Sequence, residues 1–89
     1  MIVRIDKLFE KDTDRLKDKK LLTKLAQCIG QVMDAEGLDE IPNLKKLQGF
    51  KYHYRIRIGD YRAGLRVEEG TLIFERFLSR KDIYKYFPK

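Results

Sequence analysis

Residues 53–62 combine basic and apolar side chains in a two-residue alternation. The stretch reads HYRIRIGDYR. In an extended strand, alternate residues point to opposite faces of the sheet, so His53, Arg55 and Arg57 share one face. A guanidinium is planar, stays charged at neutral pH and can bind two phosphate oxygens at once. The spacing therefore indicates a sheet face that could bind phosphate groups.

A second row of arginines follows the turn predicted at Gly59-Asp60. Arg62 and Arg66 alternate with apolar residues along the next strand. If the two strands pair through this turn, both rows lie on the same side of the sheet. Residues 51–67 contain a single acid, Asp60, whereas an ordinary solvated face usually mixes both signs. We therefore expect a basic patch, with a solvated sheet face as the alternative interpretation.

The excess positive charge lies in the second half of the chain. The formal net charge is +6. Residues 1–42 carry 8 Lys and Arg against 9 Asp and Glu, whereas residues 43–89 carry 12 against 5. This asymmetry predicts a polyanionic partner for the second half, most simply nucleic acid or the ribosome. A merely basic, soluble surface is the alternative.

Length and composition restrict the other classes of function. At 89 residues, the chain is expected to form one domain, 1–89, with a modest core. One cysteine, Cys28, excludes an internal disulfide and a cysteine-based zinc cluster, and one histidine argues against a metal site. We therefore expect neither a metal nor a small-molecule cofactor. The sequence has no signal-peptide pattern and no apolar run of membrane-spanning length, so we expect a cytoplasmic protein without a membrane partner.

Changes in hydrophobic period predict the elements that position the arginines. Residues 2–6 alternate as a short strand, and a charged amphipathic helix starts at about Leu8. A second helix of about 16 residues carries an apolar stripe with spacings of three and four. Lys19-Lys20 is expected to separate the two helices, and Gly37 to stop the second.

The second half predicts a small antiparallel sheet. Residues 43–49 are expected to hold a turn of helix with Leu44 and Leu47 inward. Three strands follow, the last of them, from Thr71 to Phe77, apolar on both faces. The tail from Arg80 to Phe87 has the pattern of a short helix with Ile83, Tyr84 and Phe87 on one side. The order β-α-α-β-β-β, with this helix added, predicts an α+β fold with an N-terminal helical hairpin.

Three short segments carry a family pattern: LKKLQG at 44–49, YRIRIGDYR at 54–62 and RKDIY at 80–84. The N-terminal half fits the same pattern, with a short strand followed by a helical hairpin that opens on Phe9, Asp12 and Leu16. Together these features resemble the RelE/ParE superfamily of bacterial toxins from toxin–antitoxin pairs. The resemblance covers nearly the whole chain but does not separate the branches of the superfamily.

The resemblance implies a toxin that a cognate antitoxin protein holds inactive. Toxins of the RelE branch cut messenger RNA in the ribosomal A site, without a metal, through attack of a ribose 2′-hydroxyl on the adjacent phosphate. Toxins of the ParE branch inhibit DNA gyrase and need not cleave anything. A relative that has lost activity and survives as a nucleic-acid-binding regulatory partner is the third alternative.

The resemblance also assigns roles to residues. Arg55 and Arg57 match two basic positions on the first strand of the meander, Arg62 an arginine after the hairpin turn, and Arg80 an arginine after the last strand. Tyr84 matches a tyrosine that stacks on the substrate base or assists proton transfer. The further residues expected to contact RNA are Lys45, Lys46, Lys51, Arg66 and Lys81.

Two features depart from the family pattern. Several RelE members have lysine at the positions of Arg55 and Arg57, and many have histidine where this chain has Ser79. An arginine does not readily serve as a base, because it holds its proton too tightly. His53 is a candidate replacement, since an imidazole suits acid–base work near neutral pH. A tyrosine among the arginines is a second candidate, and a surface role without chemistry is the alternative for His53.

Overall fold

A five-stranded sheet runs through the molecule, and two helices cover one of its faces. The computed structural model describes residues 1–88. The strands are β1 Ile2–Ile5, β2 Leu44–Lys46, β3 His53–Ile58, β4 Tyr61–Glu68 and β5 Thr71–Ser79. The helices are α1 Lys7–Asp14, α2 Lys19–Asp34 and α3 Ile83–Tyr86, and a 3₁₀ turn spans Leu38–Glu40. The predicted α+β class is confirmed.

The strands lie in the order β1-β5-β4-β3-β2. Strands β2 to β5 form an antiparallel meander, whereas β1 pairs with β5 in parallel, with Ile2 opposite Thr71. The antiparallel sheet predicted for the second half is therefore confirmed, and β1 adds a parallel edge whose pairing was not predicted. A parallel neighbour requires a long connection between the two strands, and here residues 6–70 provide it.

Helix α2 supplies the predicted apolar stripe, but its ends differ from the prediction. The Asp18 carboxylate accepts a hydrogen bond from the Leu21 N–H at 3.1 Å, which caps the helix so that it begins at Lys19. The two lysines expected to break the hairpin therefore lie inside α2. Gly37 does not stop the helix, because α2 ends at Asp34 and Gly37 is extended, with φ −153°. The buried residues of the stripe are Leu21, Leu25, Cys28 and Val32.

The main core lies between these helices and the sheet. The buried ring of Phe9 on α1 meets Phe74 and Phe77 of β5, with centroids 5.3 and 5.7 Å apart. Strand β5 is buried on both faces, as predicted, because Ile73 is covered on the opposite side from Phe74. No helix within residues 1–88 combines the length and apolar character that crossing a bilayer requires.

Two local predictions are wrong. Residues 44–46 form β2, not a turn of helix, because their backbone pairs with the open edge of β3, with Leu44 opposite Ile56. A short apolar spacing fits a helix or a strand, and here pairing with an available edge decides between them. In the tail, Ile83 and Phe87 are buried, but Tyr84 points away from them and is 66% exposed.

Candidate nucleic-acid interface

Strands β3 and β4 bring the two rows of arginines to one face, as the alternation predicted. Arg57 lies opposite Arg62, and Arg55 lies opposite Gly64. The hairpin turns at Gly59-Asp60, where Gly59 adopts φ +58°, a left-handed conformation that glycine takes without strain. The turn therefore fixes the register that joins the rows.

A cavity of about 310 Å³ opens among these side chains. We call it the arginine pocket, and it is lined by Asn43, Lys45, Arg55, Arg57 and Arg62. Lys45 lines the pocket because it lies opposite Arg55 in the pairing of β2 with β3. Within the described part of the chain, no carboxylate lines this pocket. Sequence reasoning missed Asn43, whose φ of +63° is tolerated by asparagine better than by most residues.

The hairpin turn holds the Arg62 side chain. Its Nη1 donates to the carbonyl oxygens of Gly59 at 3.0 Å and Tyr61 at 2.9 Å. Its Nε is buried and has no hydrogen-bond partner within residues 1–88. Arg62 is therefore fixed in place by the turn at the wall of the arginine pocket.

The pKa of Arg62 reflects its burial and the charged groups near it. Burial lowers the pKa of Arg62, and the positive charge of Arg55 lowers it further, with smaller effects from Arg57 and Arg80. Tyr84 acts in the opposite direction and raises that pKa. An anion placed here would relieve both the burial cost and the repulsion.

The segment after β5 carries Arg80 and Tyr84 toward the hairpin. The Arg80 backbone N–H donates to the Asp60 carbonyl at 2.8 Å. Ser79, the position where many relatives have histidine, helps to form the turn into α3, because its Oγ accepts from the Asp82 N–H at 3.3 Å. Across residues 1–88, the four arginines at 55, 57, 62 and 80, here called the pocket arginines, make no salt bridge. The first three line the arginine pocket, whereas Arg80 does not line it but lowers the pKa of Arg62 by its charge.

The other end of the same face is neutralised. Arg66 contacts Glu75 at 3.3 Å and Glu68 at 2.7 Å. His53 lies 3.9 Å from Glu75 through Nε2 and packs edge-on against the rings of Phe50 and Phe87. The predicted basic patch is therefore divided, and neither His53 nor Arg66 lines the arginine pocket. Glu75 reaches this position because the β4–β5 register shifts between Gly64 and Leu65.

The Phe87 ring covers the sheet between the two groups. A Cβ at Gly64 would lie only 2.7 Å from Cδ2 of Phe87, so the ring occupies the space of a side chain at position 64. A glycine inside a strand often marks such a close approach. Phe87 thus packs the tail onto the sheet.

The remaining predicted RNA contacts are scattered. Lys46 lies opposite Tyr54 in the register, which places it on the other face from Lys45. Lys51 is in a loop, with its Nζ 5.7 Å from the centre of the Tyr52 ring. Lys81 is exposed beside Arg80. Of the five lysines and arginines in this set, only Lys45 lines the arginine pocket.

Two further observations concern metal-ligating side chains and the one cysteine. Residues 1–88 bring together no three His, Cys, Asp or Glu side chains that could hold a metal ion. Burial raises the pKa of Cys28 to about 11. Its thiol therefore stays protonated at neutral pH and is a poor nucleophile.

Comparison with known proteins gives the family of this chain. Residues 3–84 match a family model described as "ParE toxin of type II toxin-antitoxin system, parDE". The chain belongs to the RelE/ParE superfamily of toxins of type II toxin–antitoxin systems. The resemblance noted in the sequence is thereby confirmed.

Individual relatives support this assignment. The chain is 36% identical to Toxin RelE3 of Methanocaldococcus jannaschii, over 99% of this chain and 100% of that protein. Its structure is similar to a chain of the RelB-RelE antitoxin-toxin complex from Methanococcus jannaschii, with a TM-score of 0.81, 34% identity, and coverage of 96% and 99%. A chain of the RelBE2 complex from Mycobacterium tuberculosis shares the fold, with a TM-score of 0.70, 21% identity, and coverage of 89% and 96%.

Proposed function

We propose that this protein inhibits translation by cutting messenger RNA on the ribosome, without a metal. One observation carries the proposal: the four pocket arginines are grouped together, and none has a salt-bridge partner in residues 1–88. By contrast, Arg66 and Arg76 are both paired. Unpaired guanidiniums that repel one another form a ready site for a phosphodiester.

The proposed reaction is an internal transfer at phosphorus. The ribose 2′-oxygen forms a bond to the adjacent phosphorus, the bond to the 5′-oxygen breaks, and a 2′,3′-cyclic phosphate and a 5′-hydroxyl result. The negative charge that develops on the phosphorane is stabilised by the pocket arginines. One proton leaves the 2′-hydroxyl and one reaches the 5′-oxygen, and we assign Tyr84 to this proton transfer or to stacking on the base.

We further propose that a cognate antitoxin binds this chain. The similar structure from Methanococcus jannaschii is an antitoxin–toxin complex. Strand β1 and helix α1 also expose the apolar side chains of Ile2, Ile5 and Leu8, which offer surface to a protein partner.

Inhibition of DNA gyrase is the second candidate. The family model that matches residues 3–84 is described as a ParE toxin, and the arginine pocket is lined by neither a histidine nor a carboxylate from residues 1–88. In this case the pocket arginines would bind without cutting.

Induction of the chain alone in bacteria separates the two candidates. Primer extension on a translated messenger and gel analysis of plasmid supercoiling are made on the same cells. We expect cuts within codons that depend on translation, with normal supercoiling. Intact messenger with relaxed or broken DNA would overturn the nuclease proposal in favour of gyrase.

Substitutions then test the role of the pocket. Arg62→Ala and Arg80→Ala should each abolish the cuts and the growth arrest. Arg15→Ala is the matched control, because Arg15 is exposed and lies after α1, outside the pocket. Full toxicity of either pocket variant would contradict the assigned phosphate role.

A further inference from the structure

A second cavity of about 210 Å³ adjoins the arginine pocket. It lies between α2 and the end of the β2–β3 edge, and Asn43 and Arg57 border both cavities. Ile56 and Ile58 alternate with Arg55 and Arg57, so the second cavity opens on the helix side of the sheet. It meets the arginine pocket around the strand edge that Asn43 and Arg57 form. We call the second one the amide cavity, and its principal lining residues are Lys24, Gln27, Cys28, Gln31, Asn43 and Arg57.

The lining has an apolar floor and a polar rim. Cys28, Ile56 and Ile58 are buried beneath it. The rim carries the amides of Gln27, Gln31 and Asn43, together with two cations, and the described chain places no carboxylate there. None of these three amide side chains hydrogen bonds to another group within residues 1–88.

This combination suits a nucleobase with its phosphate. Asparagine and glutamine can each donate and accept, which lets them pair with base edges. An apolar floor accepts the flat face of a base, and Lys24 and Arg57 supply charge for phosphate oxygens.

The polar surface continues along α2. Lys20, Lys24, Gln27 and Gln31 follow one another at spacings of four, three and four residues, which places them on one side of the helix. An open groove bordered by Lys20, Thr23 and Lys24 extends beyond the amide cavity. A polar helix face alone is ordinary; here it runs into a cavity that shares two residues with the arginine pocket.

We propose that the amide cavity binds one nucleotide of single-stranded RNA, adjacent to the nucleotide whose phosphate occupies the arginine pocket. The amides of Gln27, Gln31 and Asn43 read the edge of its base, and Lys24 contacts its phosphate. The inference rests on the proposed function and adds to it a subsite that sets base preference beside the cut.

The test measures RNA binding apart from cleavage. Fluorescent RNA hexamers carry a 2′-deoxy sugar at each central position, which removes the attacking hydroxyl, and they differ only in one flanking base. Fluorescence anisotropy then gives the affinity for each of the four bases. The test variant is Gln27→Ala with Gln31→Ala, and Gln48→Ala is the matched control, since Gln48 is exposed in the loop after β2.

We expect the wild-type protein and the Gln48→Ala control to discriminate among the four bases. The double variant should lose roughly tenfold of that discrimination. Lys24→Ala should weaken binding of all four hexamers alike and reduce the slope of log affinity against log salt by about 0.7. Circular dichroism melts confirm that the variants are folded, which is expected for exposed helix positions.

The outcomes separate this inference from the proposed function. Discrimination that depends on the two glutamines supports the subsite even if no messenger is cut in cells, in which case the nuclease proposal alone fails. Cut messenger with unchanged discrimination in the double variant overturns the subsite alone. A double variant that binds RNA normally but no longer binds its antitoxin would make the cavity a protein-docking site and overturn the inference. No binding of any hexamer by the wild-type protein would overturn it as well.

Discussion

At the scale of single residues, the pocket arginines are held at a cost to the free protein. Burial and like charge both lower the pKa of Arg62, which means that both disfavour its charged form in the fold. By contrast, Arg76 donates to Asp12 from two nitrogens, at 2.9 and 3.1 Å, and that hydrogen bonding raises its pKa. Arg76 is thus paired within the fold, whereas the pocket arginines have no salt-bridge partner in residues 1–88.

Removal of one repelling charge should therefore stabilise the free protein. We expect Arg55→Gln to raise Tm by about 2–4 °C at low salt, within the range for single exposed charge interactions, and to abolish toxicity. Thermal melts by circular dichroism measure the change, with Arg15→Gln as the control of equal charge. A lower Tm for Arg55→Gln than for the control would show that repulsion is not the dominant effect.

Substitutions of Tyr84 distinguish stacking on the base from proton transfer. Its side chain is 66% exposed and raises the pKa of Arg62. If it transfers a proton, Tyr84→Phe should slow single-turnover cleavage by roughly 10²–10⁴-fold, although the ring is kept. If it only stacks, Tyr84→Phe should retain the cleavage rate and Tyr84→Ala should reduce it. Tyr52→Phe is the control. Normal cleavage rates for both Tyr84 variants would show that Tyr84 takes no part in the reaction.

At the scale of elements, the position of the C-terminal tail depends on the packing of Phe87 against Gly64. Gly64→Ala would place a Cβ 2.7 Å from the Phe87 ring, so the ring must move and α3 with it. We expect a loss of about 1–3 kcal/mol in the free energy of unfolding, together with lower activity because Tyr84 is displaced. Chemical denaturation gives the loss. Gly30→Ala is the control, since nothing lies within 4 Å of its Cβ position, and it should gain about 0.5–1 kcal/mol.

Helix α1 depends on a buried carboxylate. Asp12 accepts two hydrogen bonds from Arg76 and one from the Phe77 backbone N–H at 2.9 Å. Asp12→Ala leaves the half-buried Arg76 guanidinium and the buried Phe77 N–H without their partner, and should cost about 1–3 kcal/mol in the free energy of unfolding. Asp14→Ala, exposed on the same helix, should change it by less than about 0.5 kcal/mol. Equal effects of the two variants in urea denaturation would contradict this anchoring role.

Local patterns predicted most elements but not their contacts across the sheet. The alternation of 53–58 and the Gly59-Asp60 turn sufficed to predict that both rows of arginines share one side of the sheet, where Arg57 lies opposite Arg62. The register shift beside Gly64, which lets Glu75 neutralise Arg66, depends on packing between distant segments, and no local pattern encodes it. For the same reason the sequence did not show that Phe87 would cover Gly64 or that Asn43 would border the pocket.

At the scale of the whole molecule, the charge asymmetry predicts salt-sensitive binding. The excess charge of the second half comes partly from the pocket arginines, which carry no counter-charge from residues 1–88. If all four contact phosphates of single-stranded RNA, log affinity should fall with log salt at a slope of about −3. Titrations of the hexamers at several salt concentrations measure this slope. A flat response would indicate that recognition does not depend on phosphate contacts.

The pairing of β1 with β5 also has a consequence for how the protein is made. Ile2 emerges from the ribosome well before its partner Thr71, so the two strands can pair only after the whole segment between them has been synthesised. Arg80 and the tail follow later still. The group of four pocket arginines is therefore complete only after β5 has been synthesised, and under the proposed function a nascent chain that stops before Arg80 lacks part of its site.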